Sequence, residues 1–351
     1  MRVLFCGLGG IGQRHLRNLR RLVPEDHLEV HAYRVLGRSE KLRDDLSIEP
    51  ERSIVTDYRI VVHTDLGDAL ATQPEIVFIC NPNSLHTQIA LLAAKAGAHL
   101  FIEKPVADTL DGMDELLAVV KAKNLVCYVG YNFRFHPALV RLKELLVAGH
   151  FGNLLAVRSE IGEYLPNWHR YEDYRNMYAS RADLGGGVIL SQIHEMDLIY
   201  WYFGMPVCIY CVGGKLSRLQ VDVEDTATSL MQYRGPMGNF PIALHQDYLQ
   251  RPPVRTFKIV GDQGIAQVDL IKGQLAVYNS EGDIVETWDG SNFQRNDMFL
   301  NQMKHFLASV AGEVPPQVNL WDGIQSMRLA LAAKESLASQ ALVHIAEESA
   351  P

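Results

Sequence analysis

Two side chains stand out for the chemistry they could do. Lys104 sits in Phe101-Ile102-Glu103-Lys104-Pro105, at the end of a short apolar run, where a strand should finish. In a doubly wound α/β sheet, ligands lie outside the carboxyl ends of the strands, so a lysine there is aimed at a ligand rather than at a core. His194 follows the triplet Gly185-Gly186-Gly187 on a segment that reads as one helix ending near Phe203-Gly204. Hydride transfer at a carbinol carbon needs a group to move the hydroxyl proton and a positive group to stabilise the developing alkoxide. An imidazole suits the first task near neutral pH. An ammonium suits the second, and the first as well if burial lowers its pKa. The alternative for His194 is a hydrogen-bonded core histidine.

The elements before Lys104 read as a cofactor domain. Val3–Cys6 is a short buried strand, and Gly7-Leu8-Gly9-Gly10-Ile11-Gly12 carries the GxGxxG spacing. A helix with Leu16, Leu19, Leu22 and Val23 on one face follows. That order gives a tight turn, a backbone able to approach a pyrophosphate, and a helix N-terminus facing its charge. The second strand, Leu28–Tyr33, ends in Ala32-Tyr33-Arg34 with Gly37-Arg38-Ser39 beyond, and no Asp or Glu stands at its tip. An acid there would hold the ribose 2′-OH of NAD, whereas an arginine accommodates the 2′-phosphate of NADP. Tyr33, Arg34, Arg38 and Ser39 therefore point to NADP(H). NAD is the alternative, with Arg34 stacked on adenine.

Strands at Ile60–His63, Ile76–Cys80, His99–Ile102 and Leu125–Val129 alternate with helices, as in an open parallel sheet. One helix is expected at Leu66–Ala71. Another carries Leu85, Ile89, Leu92 and Ala96 and is capped by Ser84.

Three stretches in this order and spacing resemble the glucose–fructose oxidoreductase/inositol dehydrogenase (Gfo/Idh/MocA) family. They are Gly7 to Gly12, Asn81-Pro82-Asn83-Ser84-Leu85-His86, and Ala96-Gly97-Ala98-His99-Leu100 running into Glu103-Lys104-Pro105. The resemblance implies an α/β protein with an N-terminal Rossmann domain, a doubly wound parallel sheet, over residues 1–130. It implies a C-terminal α+β domain with a large open, mostly antiparallel sheet over 131–351, for substrate binding and oligomerisation. It also implies an NAD(P)-dependent dehydrogenase or reductase acting on a sugar, polyol or sugar derivative, and it adds Cys80, Asn81, Pro82, His86, Glu103 and Lys104 to the cofactor site.

The second half offers substrate contacts. Gly130-Tyr131-Asn132-Phe133-Arg134 resembles the family's link into the second domain and contributes Asn132 and Arg134. The segment Tyr164–Tyr178 is rich in aromatic rings with polar tips and contains Trp168, His169, Tyr171, Tyr174 and Arg175. Trp168, Tyr174 and Arg175 are taken as sugar or nucleotide contacts beside Lys104, Ser191 and His194, and a lid or subunit contact is the other reading of the segment. Many relatives place an Asp three or four residues before the histidine, on one helix face with it. Here those positions hold Ser191 and Leu190, and Glu160, Glu163, Asp173 and Asp183 are the possible replacements.

Later alternating segments, Val207–Val212 through Ile284–Trp288, suit an antiparallel sheet with helices on one face. Its other face calls for cover, which points to a homodimer or homotetramer. The chain has 351 residues, a formal charge of −8 and 48% hydrophobic residues. Those figures favour two domains and argue against a nucleic-acid partner, whose domain would be basic. No apolar run reaches the ~18 residues of a membrane span, and the glycine loop comes too early to leave room for a signal peptide. Five scattered cysteines fit a reducing cytoplasm. Arg14, Arg17, Arg20 and Arg21 read as a solvated helix face, and no metal site is expected. Two other functions stay open: reduction of a C=N or C=C bond, and a cofactor-binding sensor or partner subunit impaired in catalysis, which Ser191 keeps in view.

Overall fold

A computed structural model describes residues 1–348 apart from Val35, Leu36, Arg38 and Arg170. In order it forms β1 (Arg2–Cys6), α1 (Gly10–Leu22), β2 (Glu29–Tyr33), the hairpin strands β3 (Glu40–Leu42) and β4 (Ile48–Ser53), α2 (Ile54–Asp57) and β5 (Val61–His63). Then come α3 (Leu66–Ala71), β6 (Ile76–Ile79), α4 (His86–Ala96), β7 (His99–Ile102), α5 (Met113–Ala122) and β8 (Cys127–Val129). Strands β5-β2-β1-β6-β7-β8 form one sheet in that spatial order, with every pair parallel. The order reverses between β1 and β6. This is the Rossmann arrangement, and the reversal is where such sheets open for a ligand.

The strands read as continuous apolar runs because both faces are covered; all four residues of β6 are buried. Their register brings four rings into one row: Phe5 opposite Phe78, Phe78 opposite Phe101, and Phe101 opposite Tyr128. Phe5 and Phe78 stack at 4.5 Å, and Phe306 stands edge-on to Phe78, Phe101 and Tyr128 at 5.2–5.8 Å. Each such pair adds about 0.5–1.5 kcal/mol beyond the area it buries.

The chain continues through α6 (Pro137–Val147), β9 (Leu154–Gly162), α7 (Val188–Ser191), α8 (His194–Phe203), β10 (Cys208–Gly214), β11 (Thr226–Gly235), β12 (Gly238–Asp247), β13 (Val254–Gly261) and β14 (Gly264–Asp269). Strands β15 (Gln274–Asn279) and β16 (Ile284–Asp289), helices α9 (Arg295–Val310) and α10 (Leu320–Ser339), and the short β17 (Val343–His344) complete it. The second sheet has nine strands in the order β16-β15-β14-β13-β9-β12-β11-β10-β17. Only its β9–β12 pair is parallel. One face packs on α8, where Tyr202 meets Phe257 at 5.3 Å and Phe203 meets Phe240 at 5.4 Å. On the other face Tyr210, Val212 and Leu230 are exposed.

The chain separates into two units. One comprises Met1–Tyr131, His169–Asp173 and Phe299–Ile324; the other comprises Asn132–Trp168, Tyr174–Met298 and Gln325–Pro351.

Several expectations are corrected. The helix expected from the glycine triplet to Phe203 is two helices, because Gln192 leaves helical geometry at φ −102°, ψ 34°. Ser84 does not cap α4, which begins after a 3-10 turn at Asn83–Leu85. The buried face of α4 is Ile89, Ala90, Ala93 and Ala94, with Leu85 and Leu92 exposed. The arginines of α1 are not simply solvated. Arg17 donates to Asp44 and to the Leu42 carbonyl, Arg14 donates to the Asp44 carbonyl, and Arg20 lies 4.7 Å over the Tyr58 ring. Arg14 and Arg17 hold down the β3–β4 hairpin, which had no alternating pattern to announce it. Among the described residues no helix is long and apolar enough to cross a membrane.

The aromatic row makes a direct prediction. Phe306→Ala leaves a cavity over three rings and should cost about 3–5 kcal/mol. Denaturant unfolding should show a lower midpoint with the native far-UV spectrum retained before the transition.

Candidate active site

The glycine loop is shaped by close approach. Gly7 has φ +96°, and a Cβ on it would stand 2.9 Å from the Cys80 carbonyl and the Asn81 amide. A Cβ on Gly12 would overlap the Gly7 carbonyl oxygen, so that glycine lets α1 sit against β1. At Gly9 a Cβ would meet nothing within 4 Å. Gly9 is also the N-cap of α1, has no side-chain cap, and is followed by no acid in the first turn. The α1 N-terminus, with Leu8, Gly10 and Ile11 around it, therefore presents amide N–H groups and the positive end of the helix dipole to open space. Beside it, Asn81 Oδ1 is buried without a hydrogen-bond partner among the described residues. An open position at the middle glycine, an uncapped helix start and an orphaned acceptor fit the phosphates and ribose of a dinucleotide. Cys80 is buried, which pushes its thiol well above the usual range and keeps it protonated.

At the tip of β2, Tyr33 and Arg34 are half-buried. Burial lowers the pKa of the Arg34 guanidinium, and nearby Glu40 opposes that shift. Ser39 is exposed, and its carbonyl accepts from the Ile54 amide. Arg38 lies outside the described residues.

Lys104 lies two residues beyond the end of β7 and is half-buried, with a cis bond to Pro105. Its neighbour Glu103 was expected among the cofactor contacts, but the carboxylate turns inward. It meets His15 Nε2 at 2.6 Å, accepts from the Lys104 amide at 3.1 Å, and packs against Gly130. His86 is also inward. It is fully buried, with Nδ1 2.9 Å from the Pro105 carbonyl and Nε2 2.8 Å from the Asn81 carbonyl. Burial pushes the ring toward its neutral form, in which one of those two contacts carries the proton. His86 thus ties the loop after β6, which includes Pro82, to the loop after β7.

In the second unit, His194 is the first residue of α8 and is buried to 8% exposure. The glycine triplet is a packing device. A Cβ on Gly186 would overlap the Tyr178 carbonyl, and one on Gly187, at φ +104°, would overlap the Glu224 carboxylate. Glu224 accepts from the Ile189 amide and its carbonyl accepts from Val188, so α7 is capped from within the protein. Gln192, in the break before His194, donates to the Asp247 carbonyl at 2.9 Å, and Gln246 donates to the Gln192 carbonyl at 3.0 Å. Phe133, flanked by the buried Asn132 and Arg134, stands edge-on to His194 at 4.8 Å.

The expected substrate contacts separate into groups. Arg134 forms a bidentate pair with Asp197 at 2.7 and 3.0 Å, both buried, and Ser326 donates to the same carboxylate. Its guanidinium is therefore committed to the protein. Tyr174 and Arg175 both bind Gln220, through its amide at 3.2 Å and its side chain at 3.0 Å. Trp168 meets the Tyr248 ring edge-on at 5.3 Å. Ser191 is buried beside Tyr248, whose phenol donates to the Ala179 carbonyl. Trp168 and Ser191 thus both border Tyr248. Of the acids proposed to replace the missing Asp, Glu160 accepts from Gln250 and Asp183 pairs with Arg181.

A family model described as "Oxidoreductase family, NAD-binding Rossmann fold" matches residues 1–131, and one for the GFO/IDH/MocA C-terminal domain matches 139–267. The chain belongs to this family. This GFO/IDH/MocA protein is an NAD(P)-dependent oxidoreductase. It is 25% identical over 364 residues to myo-inositol 2-dehydrogenase of Thermotoga maritima, covering 99% of both chains. Its fold is that of the WlbA dehydrogenase of Bordetella pertussis in complex with NADH and UDP-GlcNAcA (TM-score 0.78, 18% identity, 99% of both chains). It is equally that of a levoglucosan dehydrogenase in complex with NADH and levoglucosan (TM-score 0.79, 20% identity, 99% of this chain and 100% of that one).

Sequence reasoning passed over several residues of this GFO/IDH/MocA chain: His15, Glu224, Gln192, Gln246 and Tyr248. His15 and Gln13 fall three and one residues after Gly12 on the face of α1 that should be apolar, and that misplacement was the signal available. Among the described residues no cluster of three or more His, Cys, Asp or Glu is placed to hold a metal ion.

The cradle separates two alanine substitutions. Gly9→Ala adds a methyl where the protein leaves space, so thermal stability should hold while dinucleotide affinity falls tenfold or more. Gly12→Ala should lose both. Melting curves and NAD(P)H fluorescence titration on each variant would check this, and full affinity in Gly9→Ala would refute the cradle.

Proposed function

We propose that the protein transfers a hydride between nicotinamide and a hydroxyl/ketone pair of a sugar, polyol or nucleotide sugar, with NADP(H) as the cofactor. Residues 1–130 bind the cofactor, and 131–351 bind the substrate and assemble the chain into a homodimer or homotetramer. The observation that carries the reading is Lys104 at the carboxyl end of β7, in a sheet whose glycine loop and switch point fit a dinucleotide. Relatives named as dehydrogenases of myo-inositol, levoglucosan and UDP-N-acetylglucosamine support the substrate class. The exposed Tyr210, Val212 and Leu230 on the open sheet face support assembly. Five free cysteines are consistent with work in the cytoplasm.

When bound, the nicotinamide supplies or accepts the hydride. Lys104 places its ammonium at the substrate oxygen, where it stabilises the alkoxide, and His194 carries the proton. Arg34 faces the adenosine ribose, where its charge suits a 2′-phosphate.

Lys104→Met should bind NADPH within a few-fold of the parent and lose turnover by about 10²–10⁴. Retained turnover on the best sugar substrate would remove Lys104 from the mechanism. Arg34→Ala should weaken NADPH by about tenfold and leave NADH nearly unchanged. Equal loss with both cofactors would mean that Arg34 does not read the 2′-phosphate.

A further inference from the structure

The stretch His169–Asp173 belongs to the first unit, although the chain on either side of it belongs to the second. Tyr171 brings its hydroxyl to 3.2 Å from the point where a Cβ on Gly10 would stand, and a methyl of Leu46 lies 3.0 Å from that point. Gly10 is the first residue of α1. In a helix the Cα–Cβ bond tilts toward the N-terminus. A group in front of the missing Gly10 Cβ therefore lies at the mouth of the helix start, where unpaired amide N–H groups await an anion. One residue earlier, at Gly9, the space is open. A phosphate seated against Gly9 has the Tyr171 phenol at its flank.

The phenol is held in place. His169 stacks on Tyr171 with ring centroids 5.2 Å apart and planes 16° apart, and its Nδ1 lies 3.4 Å from the Tyr171 hydroxyl. The same Nδ1 meets the Glu172 carboxylate at 3.0 Å, which occupies an acid that would otherwise oppose a nearby phosphate. Tyrosine is suited to this position. Its hydroxyl donates to an anionic oxygen, and its rigid ring loses little freedom when it does so.

We infer that Tyr171 is a cofactor-binding residue whose hydroxyl donates to the pyrophosphate, with the stretch around it strapped across the glycine loop. This rests on the reading of that loop as the pyrophosphate site. It also moves the aromatic segment's contribution from the sugar to the cofactor at this point. A Cβ at Gly10 would press on the Tyr171 hydroxyl and a Leu46 methyl.

The experiment is isothermal titration of the full-length protein and of Tyr171→Phe with NADPH, ADP-ribose and 2′-AMP, the last lacking the 5′-phosphates. The variant should bind NADPH and ADP-ribose about tenfold more weakly, as for a lost hydrogen bond to a charged group, and 2′-AMP equally well. Unchanged ADP-ribose affinity would overturn the inference while leaving the dinucleotide reading intact. Tighter ADP-ribose binding would overturn it too, since the hydroxyl would then stand where a phosphate must go. Equal weakening of 2′-AMP would place the effect at the adenosine end and also count against it. A parent protein that binds neither ADP-ribose nor NADPH would instead sink the reading of the loop itself.

Discussion

Glu103 is buried at the end of β7 with its carboxylate against Gly130, and its oxygens are met by His15 at 2.6 Å and by the Lys104 amide at 3.1 Å. The ligand-facing edge of the first unit depends on this contact. His15 belongs to the helix that starts at the glycine loop, and Glu103 directly precedes Lys104. One hydrogen bond between residues 88 positions apart therefore links the helix of the glycine loop to the end of β7. It is flanked by the aromatic row, with His15 edge-on to Phe101 at 4.7 Å. A buried polar pair of this kind is costly to break from one side, because the remaining partner is left unsatisfied in a low-dielectric surrounding. That asymmetry explains why a histidine occupies a helix face that packing alone would fill with leucine.

The second unit positions its histidine by a similar device. Gln192 and the Gln246–Asp247 stretch exchange hydrogen bonds across the break between α7 and α8. Glu224 occupies the start of α7, where a Cβ on Gly187 would collide with it. Main-chain groups freed by the break are thus answered by side chains, as buried backbone must be. The start of α8, and His194 with it, is fixed to β12 rather than left at the end of a long continuous helix.

Much of the first unit was legible in the sequence, because parallel strands buried on both faces read as unbroken apolar runs. β1, β6 and β7 were found to within a residue on that basis, and the glycine loop announced itself by spacing. Reading failed where polar contacts decide the structure. The β3–β4 hairpin has the pattern of neither period, and it is held by Arg14, Arg17 and Gln13 of α1. The break at Gln192 carries no glycine or proline, since its cause is an amide on another strand. Arg134, Tyr174 and Arg175 looked like free polar tips, and their partners Asp197 and Gln220 lie 63 and about 45 residues away in the chain. Distant pairings of that kind leave no local periodicity to read.

The missing acid before His194 takes on a different meaning in this geometry. Counting back three or four residues assumes one continuous helix, and here Ser191 closes α7 while His194 opens α8. A carboxylate at Ser191 would be buried beside the Tyr248 phenol. The acid that follows the histidine, Glu195, is buried against Arg255 at 2.7 Å, and burial raises its pKa against the pull of that arginine. Arg255 lies 4.0 Å over the ring of Phe133, whose edge meets His194. Within its own unit the imidazole is therefore bordered by an aromatic ring backed by a cation, and its neighbouring acid is already engaged.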